Sequence, residues 1–256
     1  MIAPAQQTAV VYSFTNRGLF SELNNLLNAK FFADVKGFRF RIVDSRLSMY
    51  FPNGLGEFFE PIGDAILPNE KQLVIRGKSK VFKQIRRFCR KSLTFKQKFQ
   101  LAKILKLNAK TLAKVNAKIE QMHLPESYCS AHVRWGDKLV REAAQFHAPE
   151  YLQKLPRNCK NLFVMTDDYE SLREFEDFGI SVYSFATEKQ KGHSASERRG
   201  SGFSRDEVVQ LLCEVVIATK SDTFVGTMSS NVSRFVALRR ESLKRCVSLD
   251  KSWHPL

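Results

Sequence analysis

Short apolar runs alternate along this chain with stretches of helical periodicity, and this order is what most constrains the fold. The β-rich run 8–14 ends at the turn signal Thr15–Gly18. A helix is predicted over Leu19–Phe32, where apolar residues recur at helical spacing, and a second strand over Phe38–Val43. Strand, helix and strand in this order predict a parallel α/β sheet, since parallel neighbours need a crossover connection.

The second half of the chain repeats this alternation. Strands are predicted over four runs, namely 130–134, 161–165, 180–185 and 222–226. Helices are predicted over three segments, namely 169–178, 205–219 and 231–240. The polar segment 187–202 contains Ser and Gly and predicts a mobile loop. We therefore expect two α/β domains, residues 1–124 and residues 125–256, with a cleft between them.

A strongly basic segment precedes the second half. Residues 71–120 contain sixteen Lys or Arg and one acid, Glu120, and the formal net charge of the whole chain is +15. Such a block is typical of proteins that bind nucleic acid or an anionic membrane surface, but a solvated helical face has the same composition. Specific nucleic-acid recognition is disfavoured, because stacking aromatics are few and no RRM, KH, zinc-finger or helix-turn-helix motif is present.

One amphipathic helix is predicted within this basic segment, over Phe95–Gln121. Its apolar stripe consists of Leu101, Ile104, Leu105, Leu112, Val115, Ile119 and Met122. Lysines occupy the opposite face of the helix. We assign the basic helical segment, about 71–121, to the first domain.

Apolar runs, the N-terminal residues and the cysteine spacing bear on where in the cell the protein is found. No apolar run approaches the roughly 18–20 residues that span a bilayer, and residues 1–7 lack the basic and apolar regions of a signal peptide. The five cysteines are scattered without CxxC spacing, which favours reduced thiols and disfavours a cysteine metal site. We therefore expect a soluble or cytoplasmic protein.

Three of the predicted strands in the second half are followed by polar clusters. The first cluster consists of His132, Arg134, Asp137, Lys138 and Glu142, the second of Thr166, Asp167 and Asp168, and the third of Thr227, Met228, Ser229 and Ser230. Ligands of open α/β sheets bind beyond the carboxyl ends of the strands. An arginine, a lysine and a helix N-terminus with free N–H groups would suit a pyrophosphate.

Each cluster also has a purely structural interpretation. Asp167 or Asp168 could cap the following helix, and Ser229 or Ser230 could be an N-cap. Glu142 could pair with Lys138 one helical turn away. Spacing alone leaves these alternatives open.

The run 132–144, His-Val-Arg-x-x-Asp-Lys-x-x-x-Glu-Ala-Ala, resembles the first motif of the α1,6-fucosyltransferase family. This family includes the core fucosyltransferases of N-glycans and the nodulation fucosyltransferases. Residues 166–168 are similar to its strand-end Thr-Asp-Asp, and residues 222–234 to its Asp-Phe-Leu-Val-Cys-Thr-x-Ser-Ser-x-Val-x-Arg. The segments Arg17–Leu23 and Gly54–Pro61 resemble its N-terminal half more weakly.

This resemblance implies a GT-B-like fold of two Rossmann-type domains, the first on the acceptor side and the second binding a nucleotide sugar. It implies an inverting transfer of fucose from GDP-fucose to a hydroxyl of an oligosaccharide or glycoprotein. It also implies no metal and no cofactor other than the donor substrate.

The resemblance further implies a role for each matching residue. Glu142 matches the proposed general base, with Lys138 and Asp137 beside it, and Asp167 and Asp168 match carboxylates that organise the site. The residues implied in donor binding are His132 at the nucleoside, Arg134 at the pyrophosphate, Ser229 and Ser230 at a phosphate, Glu214 at guanine, and Gly18.

The sequence departs from the family pattern at three positions. Trp135 stands where the family has a second arginine, Gly136 where it has threonine, and Glu214 where it has the aspartate that pairs with guanine. These departures leave open another donor, such as UDP-xylose. A protein that binds polyanions or nucleic acid through residues 71–120 is the alternative of a different class.

Overall fold

The computed structural model describes residues 8–15, 17–43, 50–51, 53–64, 71–77, 79–135, 144–190 and 203–254. The chain forms two compact units, residues 1–111 and residues 112–255, and the division lies in the first turn of a helix. Below they are called unit 1 and unit 2. Which unit binds which substrate stays a prediction.

A parallel sheet of three strands, in the order β2–β1–β3, is the centre of unit 1. The strands are β1 Thr8–Ser13, β2 Arg39–Val43 and β3 Lys71–Arg76. Helix α1, Leu19–Lys36, connects β1 to β2 and ends at Gly37, whose φ of 64° is left-handed and suits glycine. The predicted strand, helix and strand are thereby confirmed. The sequence did not predict β3, an edge strand that fully buries only Ile75.

The basic segment forms three helices after β3. They are α2 Lys80–Ser92, α3 Phe95–Ala102 and α4 Ala109–Gln121, and a 3₁₀ turn covers Leu55–Glu57. The prediction of one helix over 95–121 is wrong, because Asn108 starts a new one. Its Oδ1 accepts the Thr111 N–H at 2.9 Å, while its Nδ2 donates to the carbonyls of Gly56 and Glu57 at 2.9 and 3.0 Å. The predicted apolar stripe is correspondingly interrupted, and Leu112 is 45% exposed.

Unit 2 contains a fully parallel sheet in the order β6–β5–β4–β7–β8. Its strands are β4 Cys129–Val133, β5 Asn161–Thr166, β6 Ser181–Tyr183, β7 Phe224–Gly226 and β8 Cys246–Ser248. Its other helices are α5 Ala148–Leu152, α6 Glu170–Glu176, α7 Arg205–Lys220 and α8 Asn231–Arg239. The four predicted strands and three predicted helices are confirmed, whereas β8 and α5 were not predicted. Of the predicted loop 187–202, the segment 191–202 lies outside the described residues.

The order of the strands in unit 2 determines where a ligand can bind. From β4 the chain proceeds outward through β5 to β6, and it then returns to the other side of β4 for β7 and β8. The direction therefore reverses between β4 and β7, and in open α/β sheets the binding crevice lies at such a switch point. Every residue of β4 is buried, as expected of a central parallel strand.

None of the helices in the described ranges combines the length and the apolar character that a bilayer crossing needs.

Candidate active site

Arg134 and Asp167 join the carboxyl ends of β4 and β5. Arg134 directly follows β4 and forms an ion pair with the Asp167 carboxylate, and their side chains are only 15% and 10% exposed. The other carboxylate oxygen of Asp167 accepts the Trp135 backbone N–H at 3.0 Å. Removing either partner would leave a poorly solvated charge, so the pair fixes the Arg134 guanidinium beside the switch point.

Asp168, the next residue, has a structural role in the described contacts. Its Oδ1 accepts the Glu170 N–H at 3.1 Å, and its backbone carbonyl accepts the Ser171 hydroxyl at 2.7 Å. These bonds satisfy groups at the start of α6. Of the two aspartates, Asp168 thus fits the capping interpretation, whereas the Asp167 carboxylate bonds to Arg134 and Trp135.

His132 is buried within β4 and contacts the start of α8. Its Nδ1 lies 2.7 Å from the Ser233 Oγ, which in turn accepts the Thr227 N–H at 3.2 Å. Because the Ser233 oxygen already accepts this N–H, its hydroxyl is available to donate a hydrogen bond to Nδ1 of His132. Nδ1 is then the unprotonated nitrogen, and the neutral ring carries its proton on Nε2. Ser233 was not singled out in the sequence, although it lies within the motif 222–234.

Gly226, the last residue of β7, permits this arrangement. A Cβ at this position would lie 2.7 Å from the Ser233 Oγ and 2.9 Å from the Phe224 Cζ. Gly226→Ala is therefore expected to lower the free energy of unfolding by about 1–3 kcal/mol through overpacking. Urea unfolding measures this loss.

Gly56→Ala is the matched control for Gly226→Ala, because a Cβ at Gly56 would meet no atom of the residues that the structure describes within 4 Å. We expect this substitution to change the unfolding free energy much less. A Gly226→Ala protein as stable as the parent would contradict the close approach of Ser233.

The carboxylate of Asp250, which follows β8, accepts hydrogen bonds from backbone N–H groups that we expected from the sequence to be free. Its Oδ1 accepts the Met228 N–H at 2.6 Å and its Oδ2 the Ser229 N–H at 3.0 Å. The Ser230 N–H donates to the Thr227 carbonyl at 3.1 Å. The expectation of free N–H groups is thus wrong at these three positions, because a carboxylate and a turn already satisfy them.

The Asp250 carboxylate is stabilised as an anion. Partial burial opposes its ionisation, but hydrogen bonds from Ser229, Ser248 and Met228 outweigh this effect and hold the pKa below its usual value. The Ser248 hydroxyl donates to Oδ1 at 2.9 Å. Asp250 therefore fixes the strand-end turn that carries Ser229 and Ser230.

Ser230 occupies the N-cap position of α8 but makes no side-chain capping hydrogen bond there. It is buried, and the first turn of α8, Asn231–Ser233, directly follows it. The N-terminus of a helix carries partial positive charge and attracts anions. Within the third cluster, Ser230 at this helix N-terminus is thus the remaining candidate for a phosphate contact, and that role stays a prediction.

Glu214 lies on α7, the helix that packs against β4 and β5. Its side chain is buried, and desolvation raises its pKa to about 8; a hydrogen bond with Gln210 opposes this shift, and the negative charge of Asp167 adds to it. Glu214 is therefore close enough to the Asp167 carboxylate to be affected by its charge.

Trp135, which stands where the sequence resemblance predicts a second arginine, is partly buried and packs against the core of unit 2. Its Nε1–H donates to the Phe146 carbonyl at 2.9 Å, and its ring meets His147 edge to face at 5.3 Å. The bond joins residues on either side of 136–143. Asp137, Lys138 and Glu142 belong to that segment, which lies outside the described residues. Their roles stay predictions.

Gly18 lies in unit 1, at the N-terminus of α1. Its φ of −57° is open to any residue, and among the described residues a Cβ there would contact the Tyr50 hydroxyl alone, at 3.9 Å. Near it, Tyr12 donates to the buried Glu22 at 2.7 Å, a contact that the sequence did not predict. The predicted role of Gly18 in donor binding stays a prediction.

Comparison with known proteins identifies the fold. No protein-family model and no curated protein sequence matches the chain. The NodZ α-1,6-fucosyltransferase soaked with GDP-fucose is 15% identical, with 91% of this chain and 92% of that chain covered and a TM-score of 0.59. POFUT1 in complex with GDP-fucose is 10% identical, with 96% of this chain and 98% of that chain covered and a TM-score of 0.51.

A mutant of Arabidopsis thaliana FUT1 in complex with GDP shows the same similarity. It is 7% identical, with 93% of this chain and 70% of that chain covered and a TM-score of 0.54. At sequence identities this low, the similarity is evidence for the fold alone. The chain is therefore similar to fucosyltransferases of GT-B-like fold, as its sequence motifs predict.

Proposed function

We propose that this protein is a glycosyltransferase that transfers fucose from GDP-fucose to a hydroxyl group of a glycan. The observation that carries the proposal is the position of Arg134, which is held by Asp167 at the switch point of a fucosyltransferase-like sheet. Asp167 follows β5 and Ser230 follows β7, the two strands that flank β4 in the sheet. GDP-fucose is the ligand of two solved structures with a similar fold.

The proposed chemistry is an inverting displacement at the anomeric carbon. Glu142 removes the proton of the acceptor hydroxyl while the bond from fucose to GDP breaks. Negative charge then develops on the leaving phosphate, where Arg134, Ser230 and the N-terminus of α8 stabilise it. In this scheme a guanidinium and a helix N-terminus supply the positive charge for which other transferases use a divalent cation.

Glu214 decides which nucleobase fits. An ionised carboxylate accepts hydrogen bonds from both N1–H and N2–H₂ of guanine. A protonated carboxyl group instead accepts one hydrogen bond and donates one, which matches the N3–H and carbonyl of uracil. Because burial holds the pKa of Glu214 at about 8, both forms are accessible near neutral pH. This favours a UDP-sugar as the second candidate donor.

The affinity for GDP is expected to rise with pH. If only ionised Glu214 binds guanine, a free-state pKa of about 8 predicts roughly 50-fold tighter binding at pH 8 than at pH 6. For UDP the sign reverses, because the protonated form binds and is lost above pH 8. Calorimetric titrations from pH 6 to 9 distinguish the two donors. In Glu214→Gln, this pH dependence should disappear.

A thermal-shift panel tests the proposed function itself. It compares GDP, UDP and their sugars in the presence of EDTA, with adenosine nucleotides as the control. A ligand at 100 times its Kd stabilises a fold by about 2.7 kcal/mol, which raises Tm by several degrees. Stabilisation by UDP but not by GDP would exclude GDP-fucose. No stabilisation by any nucleotide sugar would contradict the transferase proposal.

A further inference from the structure

Helix α2 presents a strongly basic surface in unit 1. Phe82, Ile85 and Cys89 form its buried face. The opposite face carries five exposed cations, namely Lys80, Lys83, Arg87, Arg90 and Lys91. No acid occurs on α2, and the ion pairs between residues that the structure describes include none of these five. We call these five residues the basic face.

Further cations lie beside the basic face and repel it. Burial lowers the pKa of Arg86, and the nearby charges of Arg90 and Arg17 lower it further. Lys98 of α3 is only 4% exposed; its pKa is also lowered by burial, and Arg90 adds to this effect. Such crowding of like charges destabilises a fold unless anions neutralise it. The surface around the C-terminal end of α2 is therefore suited to an anionic partner.

An exposed aromatic side chain adjoins these cations. Phe95, the first residue of α3, is 42% exposed and stacks on Phe99 with ring centroids 6.2 Å apart. The Lys98 ammonium lies 5.3 Å from the Phe95 ring centroid, and Lys98 also feels the charge of Arg90. Phe95 is thereby placed beside the end of α2. Aromatic rings next to Lys and Arg are typical of segments that lie in a lipid headgroup region.

We propose that the basic face and Phe95 dock this protein on an anionic phospholipid surface. A membrane accommodates both features, because its headgroups neutralise the cations and its interface takes up the ring. A single-stranded nucleic acid would stack successive bases on several exposed rings. Among the described residues beside the basic face only Phe95 is such a ring, because Phe82 is buried and Phe88 packs against Phe31 and Phe32.

Co-sedimentation of the full chain with vesicles tests this proposal. The vesicles contain phosphatidylcholine alone or with 30 mol% phosphatidylserine, a composition chosen for the assay. We expect binding only to the anionic vesicles. Lys83→Gln together with Arg87→Gln should weaken it about 25-fold, since each cation near such a surface contributes about fivefold. Phe95→Ser should weaken it by roughly tenfold, because the ring no longer leaves water.

Lys154→Gln together with Arg157→Gln is the matched control. Both residues are exposed and lie in unit 2. Because this variant also removes two positive charges, it has the same net charge as the test variant. It should bind anionic vesicles almost as the parent does. Equal weakening by the two double variants would overturn the proposal, as would binding to phosphatidylcholine alone.

A DNA duplex added as a competitor tests whether the basic face binds nucleic acid instead of a membrane. If the basic face serves nucleic acid, the duplex will bind at least as tightly as the vesicles, and Phe95→Ser will change neither interaction. That result would overturn membrane docking. Loss of vesicle binding in Phe95→Ser, with duplex binding weak and unchanged, would support it. Both variants alter exposed side chains, and circular dichroism verifies that they fold.

Discussion

Glu142→Gln is expected to bind GDP as tightly as the parent and to transfer fucose about 10²–10⁴-fold more slowly. The amide keeps the shape of the side chain but cannot accept the proton of the acceptor hydroxyl. Because the lost interaction belongs to the transition state, kcat should fall while the affinity for the donor is unchanged. Steady-state transfer rates and calorimetric titration with GDP measure the two quantities separately.

Glu126→Gln is the matched control for this substitution. Glu126 is exposed and lies before β4, outside the three strand-end clusters. We expect it to retain the full transfer rate. If Glu142→Gln also turned over at the parental rate, another group would have to act as the base, and the proposed role of Glu142 would be lost.

The second large effect is expected from Arg134→Ala, which should weaken GDP binding about 10–100-fold. Charge-assisted hydrogen bonds from a guanidinium to phosphate contribute about 1.5–3 kcal/mol. Arg173→Ala is the control, because Arg173 is an exposed partner of Glu170 on α6. Its removal should leave the affinity for GDP unchanged. Calorimetric titration measures all of these affinities.

The contact with Asp167 complicates the interpretation of Arg134→Ala, since the variant leaves a largely buried carboxylate without its guanidinium. A double variant, Arg134→Ala with Asp167→Asn, separates the two effects. If Arg134 binds the pyrophosphate, the double variant should recover stability but not affinity. Recovery of GDP binding would instead show that the orphaned charge caused the loss and that the phosphates lie elsewhere.

The sequence was sufficient to predict the strands that carry the candidate site. β4, β5 and β7 are buried and bounded by polar turns, so their apolar runs stand out, and parallel strands bring their carboxyl ends together. This is why Arg134 and Asp167 could be assigned to one place. β8 has only three residues and shows no periodicity, so Asp250 and its bonds to Met228 and Ser229 could not be anticipated.

The basic segment was harder to predict for a different reason. Apolar residues recur at helical spacing across 95–121, and periodicity alone cannot show that the chain turns between α3 and α4. The turn depends on contacts of Asn108 with residues 56–57, about fifty positions away in the chain. The predicted start at Phe95, by contrast, agrees with the start of α3, because Thr94 forms a local capping box with Gln97.

The indole of Trp135 gives its position a structural value that charge alone does not describe. It packs against the core of unit 2 and donates its Nε1–H to the Phe146 carbonyl. An arginine at this position would bring a second guanidinium next to Arg134, but it would give up both the packing and this hydrogen bond. Tryptophan at this position therefore exchanges positive charge for stability of unit 2.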